Sequence, residues 1–301
     1  MWGKELKPAF LDSIMPQEIL ISRPEVLEKF KKAIKSEGAG SMHIVADFDR
    51  TLTTAFVDGT KVPSQISILR DGNYLTKDYA SKAKTLADKY HSIEVDLSLS
   101  LDLSLDERKK AMHQWWSEHF KLLIESSLNK KDIESVVNSS KIKFREKALD
   151  LLDFLHEKGI PLIILSSCGL GTEAIRLQLA KVGKAYTNIN IISNLYEWDG
   201  NGKAVKVIEP IIHTLNKEEA SIKHYPAFDK IKDRKNVLLI GDSVSDVDMI
   251  KGFNCRNLLK VGFLNESAEK NQQEYKKVYD IIILNDGSMN YIYNLLKESL
   301  E

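Results

Sequence analysis

Apolar residues in this chain gather in two kinds of run, and the alternation between them predicts an α/β fold. Met42 to Ala46 and Ile160 to Leu165 are short and almost wholly apolar. Such runs read as strands buried on both faces of a parallel sheet. Ile189 to Ser193, Val237 to Ile240 and Ile281 to Leu284 are further strand candidates. The segments between them carry helical spacing instead. Val26, Leu27, Phe30 and Ile34 share one face, with Pro24 suited to a first turn and Gly38 to a stop; the first forty residues read as helical throughout. A helix near Phe144 to Glu157 ends at Gly159, and another carries Ala174, Ile175 and Leu179. Strands and helices in alternation imply a doubly wound, mainly parallel sheet covered on both faces.

The pattern is interrupted from about Thr60 to Lys141, where strand signals vanish. One amphipathic helix is expected over Lys77 to Tyr90. Another is expected over Asp106 to Leu128, with Met112, Trp115, Trp116, His119, Leu122 and Leu123 available for its inner face. Between them Leu97 to Leu105 alternates Leu with Ser or Asp, a biased stretch suited to an exposed loop. The expected organisation is therefore an α/β core, 1–59 and 141–301, with 60–140 inserted as a helical cap. Ligands of open α/β sheets sit beyond the carboxyl ends of the strands, so the polar residues that follow each strand are the ones that matter.

Composition narrows the classes. Lys+Arg and Asp+Glu both number 43, so a net charge of zero gives no support for binding a nucleic acid polymer. Two cysteines, Cys168 and Cys255, exclude a disulfide framework or a multi-cysteine zinc site. No apolar run reaches the roughly 20 residues of a membrane span, and Met1 to Phe10 lacks the apolar core of a signal peptide. A cytoplasmic protein with no membrane partner is expected, as a monomer or weak homo-oligomer.

Four segments could carry chemistry. Asp47-Phe48-Asp49-Arg50-Thr51 follows the first strand, with two carboxylates placed to face one side of an extended segment. One carboxylate can attack phosphorus and a neighbouring carboxyl can shuttle the proton; a turn or a helix cap would use the same residues. Gly241-Asp242-Ser243-Val244-Ser245-Asp246 follows another strand. Its aspartates are hard oxygen ligands suited to magnesium, or ordinary N-cap residues. Ser166-Ser167-Cys168-Gly169-Leu170-Gly171 can seat a phosphate on a hydroxyl and backbone N–H groups, or simply cap a helix. Lys217, in Leu215-Asn216-Lys217, can pair with Asp47 and a phosphate, although a lone lysine is usually a solvated surface residue.

These segments, in this order, resemble the haloacid dehalogenase (HAD) superfamily of phosphatases. Tyr90-His91-Ser92-Ile93-Glu94-Val95-Asp96, Ser193-Asn194 and Ile212-His213 with Asn216-Lys217 look further like cytosolic 5'-nucleotidase III, the pyrimidine 5'-nucleotidase family. The similarity runs from about Arg23 to the C-terminal helix. It implies Asp47 as nucleophile, Asp49 as general acid/base, and Ser167 and Lys217 as phosphate ligands. It implies magnesium on the Asp47 carboxylate, the Asp49 backbone carbonyl and Asp242, with Asp246 in support. Glu94, Trp115 and Trp116 match the family's pocket for the base, so a nucleoside monophosphate is the expected small-molecule substrate. As purely structural residues, the two tryptophans would fill the cap core and Glu94 would pair with a cap lysine such as Lys89. The sequence also departs from the family. His119 and Phe120 stand where its pyrimidine enzymes carry Ser-His, an additional stretch lies around Ser98 to Ser104, and the phosphate loop reads Ser-Cys-Gly-Leu-Gly-Thr rather than Ser-Ala-Gly-Ile-Gly-Asp. Another phosphomonoester such as phosphoserine or a sugar phosphate, phosphotransfer to a nucleoside, and nucleotide binding without catalysis are the competing expectations.

Overall fold

The computed structural model describes residues 18–95, 104–218, 225–251 and 253–301, without the side chains of 91–95. In chain order the strands are β1 (Ile19–Ile21), β2 (Met42–Ala46), β3 (Phe56–Val57), β4 (Thr60–Lys61), β5 (Leu162–Leu165), β6 (Ile189–Ile192), β7 (Leu195–Trp198), β8 (Ala204–Ile208), β9 (Asn236–Gly241), β10 (Asn257–Leu264) and β11 (Ile281–Leu284). The helices are α1 (Pro24–Glu37), α2 (Gln65–Asp71), α3 (Tyr79–Val95), α4 (Leu105–Glu125), α5 (Lys130–Asn138), α6 (Ala148–Glu157), α7 (Gly171–Lys181), α8 (Ala227–Ile231), α9 (Ala268–Val278) and α10 (Asn290–Leu300). All five apolar runs form strands of one sheet, ordered β1-β11-β10-β9-β2-β5-β6. Every pairing is parallel except β1 with β11.

Alternation along the strands splits the core between the two faces. Ile44, Ala46, Ile164, Leu238 and Ile240 belong to one apolar cluster, which also takes in α1 and α6. Val45, Ile163, Leu165, Val237 and Leu239 belong to the other, which takes in α8. The order β9-β2-β5 places three adjacent parallel strands inside the sheet, none of them at an edge. The loops that leave their carboxyl ends are therefore neighbours in space, although they lie far apart in the chain.

Some expectations are corrected. The first forty residues are not all helical: Ile19–Ile21 pairs antiparallel with Ile281–Ile283 at the sheet edge, and three residues are too few to show a strand period. The strand expected from Ile160 begins at Leu162, because Pro161 has no N–H for the ladder; its carbonyl still accepts from Ile44 N at 2.9 Å. The helix expected from Phe144 begins at Ala148, and Phe144 instead bridges Thr53. Strand β10 escaped notice because Asn257, Lys260 and Gly262 break its apolar run, yet it sits inside the sheet.

Among the described residues, the region between β4 and α6 holds four helices, α2 to α5. Helix α4 opens with a capping box, Ser104 with Glu107, and buries Met112, Trp115, His119, Phe120, Leu122 and Leu123. Its carboxyl end and α5 have no core of their own. Leu122, Leu123, Leu128, Ile133 and Val136 join the larger apolar cluster of the sheet. Leu97 and the rest of the expected loop up to 103 lie outside the described residues, while Leu105 already belongs to α4. No helix among the described residues is long and apolar enough to cross a membrane.

Arg145 fixes the loop after β2. Its side chain is fully buried and donates to the carbonyls of Arg50 (2.6 Å), Thr51 (3.0 Å) and Gly287 (2.6 Å), to Asn265 Oδ1 (3.0 Å) and to Asp286 Oδ1 (2.9 Å). Arg50 itself lies in the left-handed region at φ 58, a conformation that persists only when its surroundings enforce it. A lysine keeps the charge but not the planar fork of donors. Arg145→Lys is therefore expected to lower unfolding stability by about 2–4 kcal/mol, measured by chemical denaturation. The surface control Lys232→Ala should stay within about 0.5 kcal/mol.

Candidate active site

Four chain segments meet at the carboxyl ends of β2, β5 and β9. Asp47 extends the β2 ladder by one residue, its N–H donating to Ile240 O at 3.0 Å. Its carboxylate points away from solvent and accepts from Lys217 Nζ at 2.7 Å. The same ammonium donates to Asp246 Oδ1 at 2.7 Å. The other Asp246 oxygen accepts from the N–H groups of Asp242 (3.0 Å) and Ser243 (2.9 Å), closing a capping box on the 3-10 turn Val244–Ile250. Gly241 permits this fold-back, since a Cβ there would lie 2.5 Å from Asp246 Cβ. Two tyrosines hold the backbone from behind, Tyr275 donating to Asp242 O and Tyr279 to Ser243 O.

Lys217 is placed by a lattice of side-chain amides. Asn216 Oδ1 accepts from His213 N at 2.7 Å, and its amide donates to Ile211 O at 2.9 Å. Asn194 Oδ1 accepts from Ile212 N at 2.8 Å, while Nδ2 donates to Ile212 O (3.0 Å) and to Cys168 O (3.2 Å). The segment leading to Lys217 is thereby tied to the loop after β5. These residues are the Ser193-Asn194 and His213–Asn216 elements seen in the sequence, and their work is to seat a buried lysine.

The electrostatics are one-sided. Asp47, Asp242 and Asp246 each bring a carboxylate oxygen within 4.8 Å of the others, with Lys217 as the buried cation among them. Burial pushes the Asp47 carboxyl up to about 7 against the pull of Lys217, and repulsion from Asp246 and Asp49 adds to the rise. Burial, then Asp246 and Asp47, hold Asp242 well above the ordinary carboxylate range. Burial raises Asp49 too, against the opposing influence of Arg50, Gln65 and Lys217. Burial disfavours the ammonium of Lys217, but Asp246 and Asp47 outweigh it and raise this group above an ordinary lysine. Carboxylates crowded beyond the available positive charge suit a hard divalent cation, and their donor set is all oxygen. Asp246 has both oxygens engaged by Lys217 and backbone, which fits it to support such a site rather than to ligate.

The other expected residues are placed as follows. Ser167 stands half-buried after β5, beside Ser166, whose Oγ accepts from Cys168 N at 3.2 Å. Cys168 is a packed, buried residue with its thiol pushed up by burial. Trp115 and Trp116 stand in a ring stack, Tyr90–Trp115–Trp116–His119, with centroids 6.1, 5.8 and 5.8 Å apart. Neither indole N–H has a hydrogen-bond partner. Trp115 is buried with Tyr90 and Met112, Trp116 packs against that cluster, and Trp116 also reaches the loop after β5 at Gly169. The Glu94 side chain lies outside the described residues; Lys89 pairs with Glu118 at 3.4 Å. Residues missed in the sequence are Gln65, beside Asp49, and Thr51, whose Oγ1 donates to Asp242 Oδ1 at 3.4 Å. Thr51 lies within the DxDxT pattern and was legible there; Gln65 gave no signal.

This fold is of the HAD type, and its carboxylates converge on a lysine at the place where that fold carries its site. The chain belongs to the pyrimidine 5'-nucleotidase (UMPH-1) family, whose model matches residues 50–300. A 7-methylguanosine phosphate-specific 5'-nucleotidase of Gallus gallus is 29% identical over 280 residues, covering 93% of this chain and 95% of its own. The enzyme of the same name from Drosophila melanogaster is 26% identical over 297 residues, covering 98% and 91%. The crystal structure of cytosolic 5'-nucleotidase IIIB bound to cytidine superposes with a TM-score of 0.83 over 95% of this chain and 96% of that one, at 23% identity. A substrate-bound phosphoserine phosphatase shares the fold more distantly, with a TM-score of 0.51 and 17% identity over 84% and 97% of the chains.

Lys217→Met leaves Asp47 and Asp246 buried without their cation. It should destabilise the metal-free protein by about 3–5 kcal/mol in chemical denaturation. Adding Asp246→Asn in the same chain should recover part of that loss, because it removes one of the two uncompensated charges. Equal stability of Lys217→Met and the parent would show that the lysine does not hold the site together.

Proposed function

We propose that this chain is a magnesium-dependent 5'-nucleotidase that carries the phosphoryl group on Asp47. Its core, 1–59 and 141–301, would work under a substrate-selecting cap, 60–140. The observation that carries this reading is the clamp of Lys217 between Asp47 and Asp246 at the carboxyl ends of β2 and β9. A buried lysine held on two carboxylates still has a third N–H to donate beside Asp47, where a phosphoryl group in transfer develops negative charge.

Asp47 attacks phosphorus, and the bond from phosphorus to the 5'-oxygen breaks. Asp49, held above the usual carboxylate range by burial, is suited to be protonated and to give that proton to the departing oxygen. The nucleoside leaves and a water takes its place. Asp49 then accepts a proton from the water as its oxygen attacks phosphorus, releasing inorganic phosphate and restoring Asp47. Lys217 and the hydroxyl of Ser167, with backbone N–H groups of the loop after β5, hold the non-reacting phosphate oxygens. Asp47, Asp242 and the Asp49 carbonyl would hold magnesium, which when bound supplies positive charge and Lewis acidity. Asp246 keeps Lys217 and the Asp242 backbone in place.

Base recognition falls to Glu94, Trp115 and Trp116. The similarity to enzymes named for 7-methylguanosine phosphate favours a methylated purine nucleotide. An aromatic stack that ends on His119, where burial lowers the imidazole to about 4 and keeps it neutral, suits the face of a positively charged base.

Asp47→Asn is expected to keep the fold and lose at least about 1,000-fold in kcat, measured as phosphate release from nucleoside monophosphates. Wild-type turnover in that variant would rule out Asp47 as the nucleophile. In a panel of 7-methylguanosine, cytidine, uridine and adenosine monophosphates with phosphoserine, the nucleotides should be preferred and 7-methylguanosine monophosphate should rank first. Magnesium should raise the Tm of the parent, and Asp242→Asn should abolish the shift; an equal shift in both would place the ion elsewhere.

A further inference from the structure

Leu215-Asn216-Lys217-Glu218 is a single short segment with two faces. Asn216 and Lys217 turn to the core, to Ile211 O and to the Asp47–Asp246 pair. Leu215 and Glu218 turn to the cap. Leu215 packs on the small cluster of Tyr90, Met112 and Trp115, and Glu218 forms an ion pair with Lys109 on α4, each side chain only 19% exposed. The active-site lysine is thus flanked on both sides by contacts to α4 or its neighbour α3.

Helix α4 is held very differently at its two ends. Its carboxyl end and the turn after it are rooted in the sheet domain. Leu122, Leu123 and Leu128 belong to the large apolar cluster, Leu128 O accepts from Ala204 N at 2.8 Å, and Lys130 N donates to Gly202 O at 3.0 Å. Among the described residues, its amino end, about 30 Å away along the axis, meets the core through contacts that include Leu215, the Lys109–Glu218 pair and an exposed His113–Glu209 contact at 3.9 Å. Midway, the cap is shut on the phosphate loop: a Cβ on Gly169 would lie 2.6 Å from Ile66 and 2.7 Å from Trp116. A ligand with a base to place above that loop has to lift this contact. An element with many apolar contacts at one end and few at the other opens at the poorly held end.

We propose that Lys109 and Glu218 are positioning residues whose ion pair latches the amino end of α4 onto the Lys217 segment, so that cap closure and the seating of Lys217 against Asp47 occur as one event. The kinetic part of this proposal rests on the phosphatase reading; the latch itself does not. Lys109→Glu and Glu218→Lys each set like charges against each other and open the cap. The double swap Lys109→Glu/Glu218→Lys restores the pair with reversed polarity.

The test uses full-length protein carrying Trp2→Phe and Trp198→Phe, so that fluorescence reports Trp115 and Trp116 alone. Two quantities are measured: acrylamide quenching of that emission, and kcat and KM for magnesium-dependent phosphate release from a nucleoside monophosphate. Each single variant should show greater quenching and a kcat/KM lowered about fivefold, and the swap should return both to near the parent. Rescue by the swap would show that the pair, and not either side chain alone, carries the effect, and the kcat/KM readout separates a latch coupled to Lys217 from a contact that only stabilises the fold. Parental values in the single variants, or no rescue by the swap, would overturn the latch. Greater quenching with parental kinetics would overturn its coupling to Lys217. A parent that releases no phosphate from any monophosphate would sink the functional reading, while the quenching series would still decide the latch.

Discussion

One ammonium group organises this protein. Lys217 Nζ reaches Asp47 and Asp246 from a segment that belongs to no strand or helix, and without it buried carboxylates would face one another uncompensated. A buried ion pair is a poor source of stability, so its presence at the centre of the sheet's carboxyl edge points to function. Much of the surrounding architecture makes sense as what is needed to hold that charge in place: the amides of Asn194 and Asn216, the tyrosines behind Asp242 and Ser243, and the absence of a side chain at Gly241.

Sheet order supplies the rest. With β9, β2 and β5 adjacent, the three loops that begin at Asp47, Ser166 and Asp242 share one small volume although they lie far apart in the chain. Arg145 then pins the loop that carries Asp49 and Thr51 by gathering its carbonyls together with Asp286. The site is built on rigid elements from below and roofed by helices from above; among the described residues the roof joins the large apolar cluster of the floor at one end and meets it at the other through Leu215 and the Lys109–Glu218 pair.

Sequence alone picked out the charged residues that converge at the sheet edge, because chemistry restricts residue types. Asp47, Asp49, Asp242, Asp246 and Lys217 stood directly after apolar runs or between recognisable segments, and the structure gathers them. Five strands were legible because burial on both faces leaves an uninterrupted apolar run. Strand β10 was not, since Lys260 breaks its run, and β1 was too short to show a period. Arg145 and Gln65 gave no signal, since their partners are backbone carbonyls and distant side chains that only the fold brings near. Trp115 and Trp116 were visible as a pair, but their stacking with Tyr90 and His119 depends on how α3 and α4 cross, which periodicity does not encode.

The central claim is that Asp47, held by Lys217, takes the phosphoryl group. Rapid acid quenching during turnover of a nucleoside monophosphate, followed by borohydride reduction and peptide mass spectrometry, addresses it directly. An aspartyl phosphate reduces to homoserine, so the account expects homoserine at position 47 and nowhere else. Phosphate release at full rate with Asp47 unmodified, or a modified residue at another position, would contradict it.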